Sequence, residues 1–102
     1  MGKFGLLGKM LAHEGKRDEL VQVLLEAASI LKNFDGCEWY VVNVSDEEPD
    51  AIWVTELWRD EAAHQASLQQ SEIRSLIQQG RPLIAGFGEQ TRYRPVGGVG
   101  LS

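Results

Sequence analysis

The sequence predicts an α+β fold of the ferredoxin-like kind. The element order is βαββαβ, giving a four-stranded antiparallel sheet with helices on one face. Three observations predict it. Four short apolar or β-branched stretches recur along the 102 residues. Segments with three- and four-residue apolar spacing separate the first stretch from the second and the third from the fourth. The polar run Asp46-Glu47-Glu48-Pro49-Asp50 joins the middle two stretches as a hairpin turn.

Each element has a local reason. Residues 4–11 are mostly apolar and end at His13-Glu14-Gly15, which predicts a strand buried on both faces. Over 16–33, Leu20, Val23, Leu24, Ala27, Ala28 and Leu31 make one apolar helical stripe. Asp18 and Glu19 complement the positive end of that helix, and Gly36 ends the element where a positive φ is needed. Residues 37–45 carry Trp39, Tyr40, Val41, Val42 and Val44, a strand composition. Residues 51–59 return antiparallel to it. Asp60 is the expected N-cap of a helix over 61–66, and Ser71 that of a helical piece over 72–79, which Gly80 and Pro82 stop. A last strand is expected over 83–94. The Gly-rich segment from about 96 to 102 reads as a loose tail. Residues 1–102 form a single domain by length and by the absence of repeats or linkers.

Both alternating sets of the third strand are apolar-rich: Ile52, Val54 and Trp58 on one side, Ala51, Trp53 and Leu57 on the other. Helices cover only one face of such a sheet. The second apolar face predicts a homodimer that packs two sheets together.

Composition excludes several classes of partner. The net charge is −5 with no Lys/Arg stripe, so neither nucleic acid nor an anionic membrane is expected. Cys37 is the single cysteine, which excludes an internal disulfide and argues against a thiolate metal site; it reads as a small buried filler. Met1-Gly2-Lys3-Phe4 opens no continuous apolar run, so no signal peptide is expected. No apolar run reaches the ~20 residues of a membrane span. A cytoplasmic location is expected. Asp46, Glu47, Glu48 and Asp50 lack calcium-loop spacing, two histidines supply no His-x-His pair, and the Gly86 and Gly97 regions lack a dinucleotide fingerprint. No metal or organic cofactor is expected.

The chemistry concentrates in Glu56 to Ser67. His64 follows Trp58 by about two helical turns. An imidazole with an unperturbed pKa of about 6.5, set beside aromatic and carboxylate side chains, suits proton transfer near neutrality. The competing reading is a surface histidine bonded to water or to Glu61. Glu56 sits inside an apolar strand and needs a partner. Pairing with Arg92 or Arg94 is the favoured expectation; orienting His64 or binding a substrate hydroxyl is the other. Tyr40 and Asn43 offer a hydroxyl and an amide, but their opposite parity places them on different sheet faces if the strand is regular. Trp53 and Trp58 are separated in the same way.

Gly15, Gly36-Cys37, Tyr40, Glu56, Trp58, Ala62, His64 and Ser67, in this element order, resemble the antibiotic biosynthesis monooxygenase family of the dimeric α+β barrel superfamily. The resemblance runs from about Phe4 to Pro95. It implies a small-molecule pocket with Trp58 on its wall. It also implies a cofactor-independent monooxygenase acting with O2 on a quinol-like or hydroxylated aromatic substrate, with His64 as base and Trp58, Glu56, Tyr40 and Asn43 as substrate contacts. The family's haem-degrading branch places an asparagine, a tryptophan and a histidine near Gly8, Ser67 and Ile77, and none matches. Two other readings stand beside this one: a non-catalytic dimeric small-molecule-binding or stress-related protein, and a signal-metabolite isomerase or degrader.

Overall fold

A computed structural model describes residues 2–101. Its elements are β1 (Phe4–Ala12), α1 (Arg17–Leu31), β2 (Cys37–Ser45), β3 (Glu48–Trp58), α2 (Glu61–Leu68), α3 (Ser71–Gly80), a 3-10 turn (Arg81–Leu83) and β4 (Ile84–Tyr93). The sheet order is β2-β3-β1-β4, and every neighbouring pair is antiparallel. This is the expected ferredoxin-like α+β architecture. The tail over 96–101 contains no helix or strand, and the last position of the expected tail lies outside the described residues.

The even residues of β3 point at the helices. Ile52 and Trp58 are fully buried, and Val54 nearly so. They meet Leu20, Leu24, Ala27 and Leu31 of α1 and Ile73 and Leu76 of α3, the stripes that helical periodicity places on one face. Each such large side chain contributes ~1.5–3 kcal/mol of transfer free energy when fully buried.

Two turns fix where α2 begins. Asp60 holds an extended backbone, and its carboxylate accepts from the Ala63 N–H at 2.8 Å, the expected cap. Gly36 has φ +91°, and a Cβ there would lie 2.5 Å from the Ala63 Cβ. Its carbonyl accepts from the Arg59 N–H at 2.7 Å. The α1–β2 turn thus packs directly on the start of α2.

Several boundaries differ from expectation. β3 begins at Glu48, so Pro49 lies within the strand. Only the first strand position tolerates proline freely in a ladder, and the β2–β3 register is irregular at Ser45↔Glu48. Ser71 does not cap α3; it is the first helical residue, and Gln70 holds the cap position without a side-chain bond. β1 is not buried on both faces: most of it is half-buried, and Leu11 is exposed. The reason is the outer face, which no helix covers. There Leu7, Leu11, Trp39, Val41, Trp53 and Leu57 fall on one side by register, with Tyr93 lying over Gly5.

Candidate functional site

Between the sheet and α1–α3 runs a cavity of about 610 Å³. Its walls are mainly aliphatic: Leu20, Val23, Leu24 and Ala27 from α1, Ile73, Leu76 and Ile77 from α3, and Met10 from β1. Polar groups are few. Tyr40, Glu56, His64 and Ser67 line one part, and Arg81 lines another. A smaller cleft of about 360 Å³, beside Leu6, Gly8, Gln90 and Arg92, shares Glu56 with the cavity.

Register explains the polar group. Glu56 faces Tyr40 on β2 and Leu6 on β1, all on the helix side of the sheet. Trp58, two residues on, points the same way. Its indole Nε1–H donates to Glu56 Oε1 at 3.0 Å. The same oxygen lies 3.8 Å from His64 Nε2, too far for a hydrogen bond but close enough for charge to be felt. The side chains of His64 and Glu56 are only 15 % and 18 % exposed. His64 is therefore not a surface histidine. Its ring sits 5.4 Å from both Phe4 and Trp58, the latter edge-on. Its Nδ1 is buried and meets no protein hydrogen-bond partner among the described residues.

Burial pushes both groups toward neutrality. The Glu56 carboxyl is raised by desolvation, against which the Trp58 hydrogen bond acts. The His64 imidazole is lowered by desolvation and then by the Arg92 charge, with Glu61 opposing. Desolvation is the largest of these influences and decides the direction. The two affinities for a proton converge. The Tyr40 phenol is raised far above its ordinary range by burial and by Glu56, so it stays a donor.

The expectation that Glu56 pairs with Arg92 or Arg94 is corrected. Arg92 instead binds Glu61 at 3.1 Å and lies 5.7 Å over the Phe4 ring. α2 brings Glu61 and β4 brings Arg92 to the protein surface, while Glu56 stays beneath. Asn43 is not brought to the cavity: its amide donates to the Val41 and Trp53 carbonyls, and its register partner is Trp53. Trp53 is likewise on the opposite face, stacked under Lys9 at 5.2 Å. Phe4, Arg81 and Phe87 also border the site or cavity. None of these three carries a signal in the sequence that marks it as lining the cavity. Among the described residues no three His, Cys, Asp or Glu side chains converge as a metal set, and no helix is long and apolar enough to cross a membrane.

Comparison with known proteins agrees with this architecture. A structure from Chloroflexus aurantiacus J-10-fl, a candidate antibiotic biosynthesis monooxygenase, is 44% identical with a TM-score of 0.89, over 98% of this chain and 99% of that one. A protein from Shewanella oneidensis is 24% identical (TM-score 0.83, 92% and 91% covered) and shares the fold. So does a candidate antibiotic biosynthesis monooxygenase from Deinococcus radiodurans, 22% identical (TM-score 0.80, 93% and 94% covered). No curated protein matches the chain significantly. The family model for antibiotic biosynthesis monooxygenases matches residues 4–79, from β1 through nearly all of α3 and across Tyr40, Glu56, Trp58 and His64, and the chain belongs to that family.

Proposed function

We propose that the chain is a cofactor-independent monooxygenase acting on a quinol-like or otherwise hydroxylated aromatic molecule, with His64 as the proton acceptor. One observation carries this reading: His64 and Glu56 meet on the wall of a largely apolar cavity, with burial lowering the imidazole and raising the carboxyl. A neutral imidazole is a competent base near neutrality. The cavity is within the size range of small-molecule sites, and its aliphatic walls suit flat ring systems.

The chemistry follows from charge. His64 takes the hydroxyl proton, and the resulting oxyanion is electron-rich enough to reduce O2. At a ring C–H ortho or para to the oxyanion, O2 adds and one oxygen atom stays as a carbonyl. The O–O bond breaks, the other oxygen leaves as water with that ring hydrogen and the proton returned by His64, and the substrate supplies all four electrons. Tyr40 and Glu56 hold the substrate oxygen, and Trp58 holds Glu56. Asn43, on the opposite sheet face, has no part in this site.

We also propose a cytoplasmic homodimer. Support comes from the uncovered apolar face carrying Leu7, Leu11, Trp39, Val41 and Trp53, which a second sheet would cover.

The test is oxygen uptake with a panel of hydroquinones and anthrones in chelator-treated buffer. Saturable substrate-dependent uptake is expected. A different outcome favours the second reading, a dimeric binding protein without turnover, which the scarcity of polar groups in the cavity also suits: saturable binding with no oxygen uptake by any member of the panel.

A further inference from the structure

The cavity has two chemically distinct ends. Tyr40, Glu56 and His64 mark one, and Arg81 marks the other. Strand register sets their separation. Glu56 pairs with Leu6 of β1, Phe87 with Met10, and Ile84 with Ala12. At about 3.4 Å per residue, these partners lie roughly 14 and 20 Å along β1 from the Glu56 position. Arg81 precedes Ile84 on the 3-10 turn, so it guards the far end.

Arg81 is solvent-exposed at the mouth of the cavity. The chain is acidic, at −5, yet Arg81 forms no ion pair with any described residue. Apart from His64, it is the only basic side chain lining the cavity among the described residues. Its neighbours there, Ile77, Ile84 and the 63 % exposed Phe87, are apolar. From this exposed rim the planar, weakly hydrated guanidinium fork can pair bidentately with a carboxylate whose apolar body lies in the cavity. Arg92, the other nearby cation, is already held by Glu61.

We propose that Arg81 is a specificity-determining residue, binding an anionic group at the far end of an elongated hydroxylated aromatic ligand. The substrate class is then an amphiphile: a hydroxyl at Glu56 and His64, a ring body against the aliphatic walls, and a carboxylate at Arg81. This rests on the proposed function for the orientation of the ligand, but the charge preference is read by binding alone.

The experiment is calorimetric titration with two elongated probes that differ only in charge, 4-(6-hydroxynaphthalen-2-yl)benzoate and 4-(6-hydroxynaphthalen-2-yl)benzamide. Wild type is expected to bind the carboxylate about tenfold or more tightly. Arg81→Gln is expected to erase that preference while leaving amide affinity within about twofold, and Arg81→Lys to retain part of it. Arg92→Gln is expected to keep the preference. Arg81 also occupies the C-cap position of α3. A purely structural role would weaken both probes together and overturn the proposal. So would a wild type without the preference, including one that binds neither probe, or a preference lost in Arg92→Gln. Oxygen uptake is measured separately: its absence beside an intact, Arg81-dependent preference refutes turnover and leaves the anion subsite standing.

Discussion

Trp58 donates its indole N–H to Glu56 across only two residues of β3, 3.0 Å from nitrogen to carboxylate oxygen. Both side chains project from the same sheet face because strand alternation has a period of two. The bond fixes one carboxylate oxygen beneath His64 and partly offsets the cost of burying it. Trp58 itself is fully buried between Phe34, His64 and the helices. The indole is thus both core filler and the group that orients the site.

Trp58→Phe separates those roles. The smaller ring leaves space in the core and removes the donor, for an expected loss of ~1–3 kcal/mol. Because the indole bond lowers the Glu56 pKa, its removal is expected to move that carboxyl further up. Denaturant unfolding and carboxyl NMR titration check the two halves. An unchanged Glu56 titration would show the bond absent in solution.

Glu56→Gln tests the cost of the buried carboxylate. Glu56 has a folded pKa above its ordinary 4.5, so the folded state binds the proton more tightly than the unfolded state. The resulting stability is present below the unfolded pKa and is lost as pH rises through the folded value. The glutamine keeps an acceptor for Trp58 but has no such loss. Relative to wild type, its melting temperature is expected to improve as pH rises from the ordinary carboxyl value through the raised folded one. His64 acts oppositely: its folded value lies below 6.5, so stability is present above the unfolded value and lost as pH falls through the folded one. That acid-side loss should persist in Glu56→Gln. A variant that tracks wild type at every pH would mean the carboxylate is solvated.

Much of this architecture is legible in the sequence. The fold follows from apolar periodicity, and Asp60 and Gly36 are local signals that tertiary context does not override. Parity alone separates Tyr40 from Asn43 and Trp58 from Trp53. The partner of Glu56 is not legible, because β4 places Arg92 near Phe4 in three dimensions, where Glu61 at the start of α2 is the closer acid. Linear order carries no information about that competition. The far end of the cavity is equally hidden. It is built from the end of α3, the 3-10 turn and the start of β4, and a helix-stopping Gly80 and Pro82 give no hint that Arg81 lines it.

The open sheet face makes a prediction about assembly. Val41 is 46 % exposed on that face, so Val41→Glu is expected to cost the isolated subunit less than about 1 kcal/mol. In a dimer the same carboxylate would be buried against an apolar sheet without a partner. Sedimentation velocity at micromolar concentration is expected to give a dimer for wild type and a monomer for the variant. A monomeric wild type would contradict the proposed assembly.

The direct test of the central claim is oxygen uptake by wild type and His64→Ala as a function of pH, with a hydroquinone or anthrone that wild type turns over. His64 packs against Phe4 and Trp58, so its removal costs more stability than a surface change, about 1–2 kcal/mol, and folding of the variant is verified by circular dichroism. The wild-type rate is expected to rise with pH through an imidazole pKa below 6.5 and then level off, since the neutral ring is the base. The variant is expected to be ~10²–10⁴-fold slower and to lack that rise. A folded variant that consumes oxygen at the wild-type rate, with the same pH profile, would contradict the assignment of His64 as the proton acceptor.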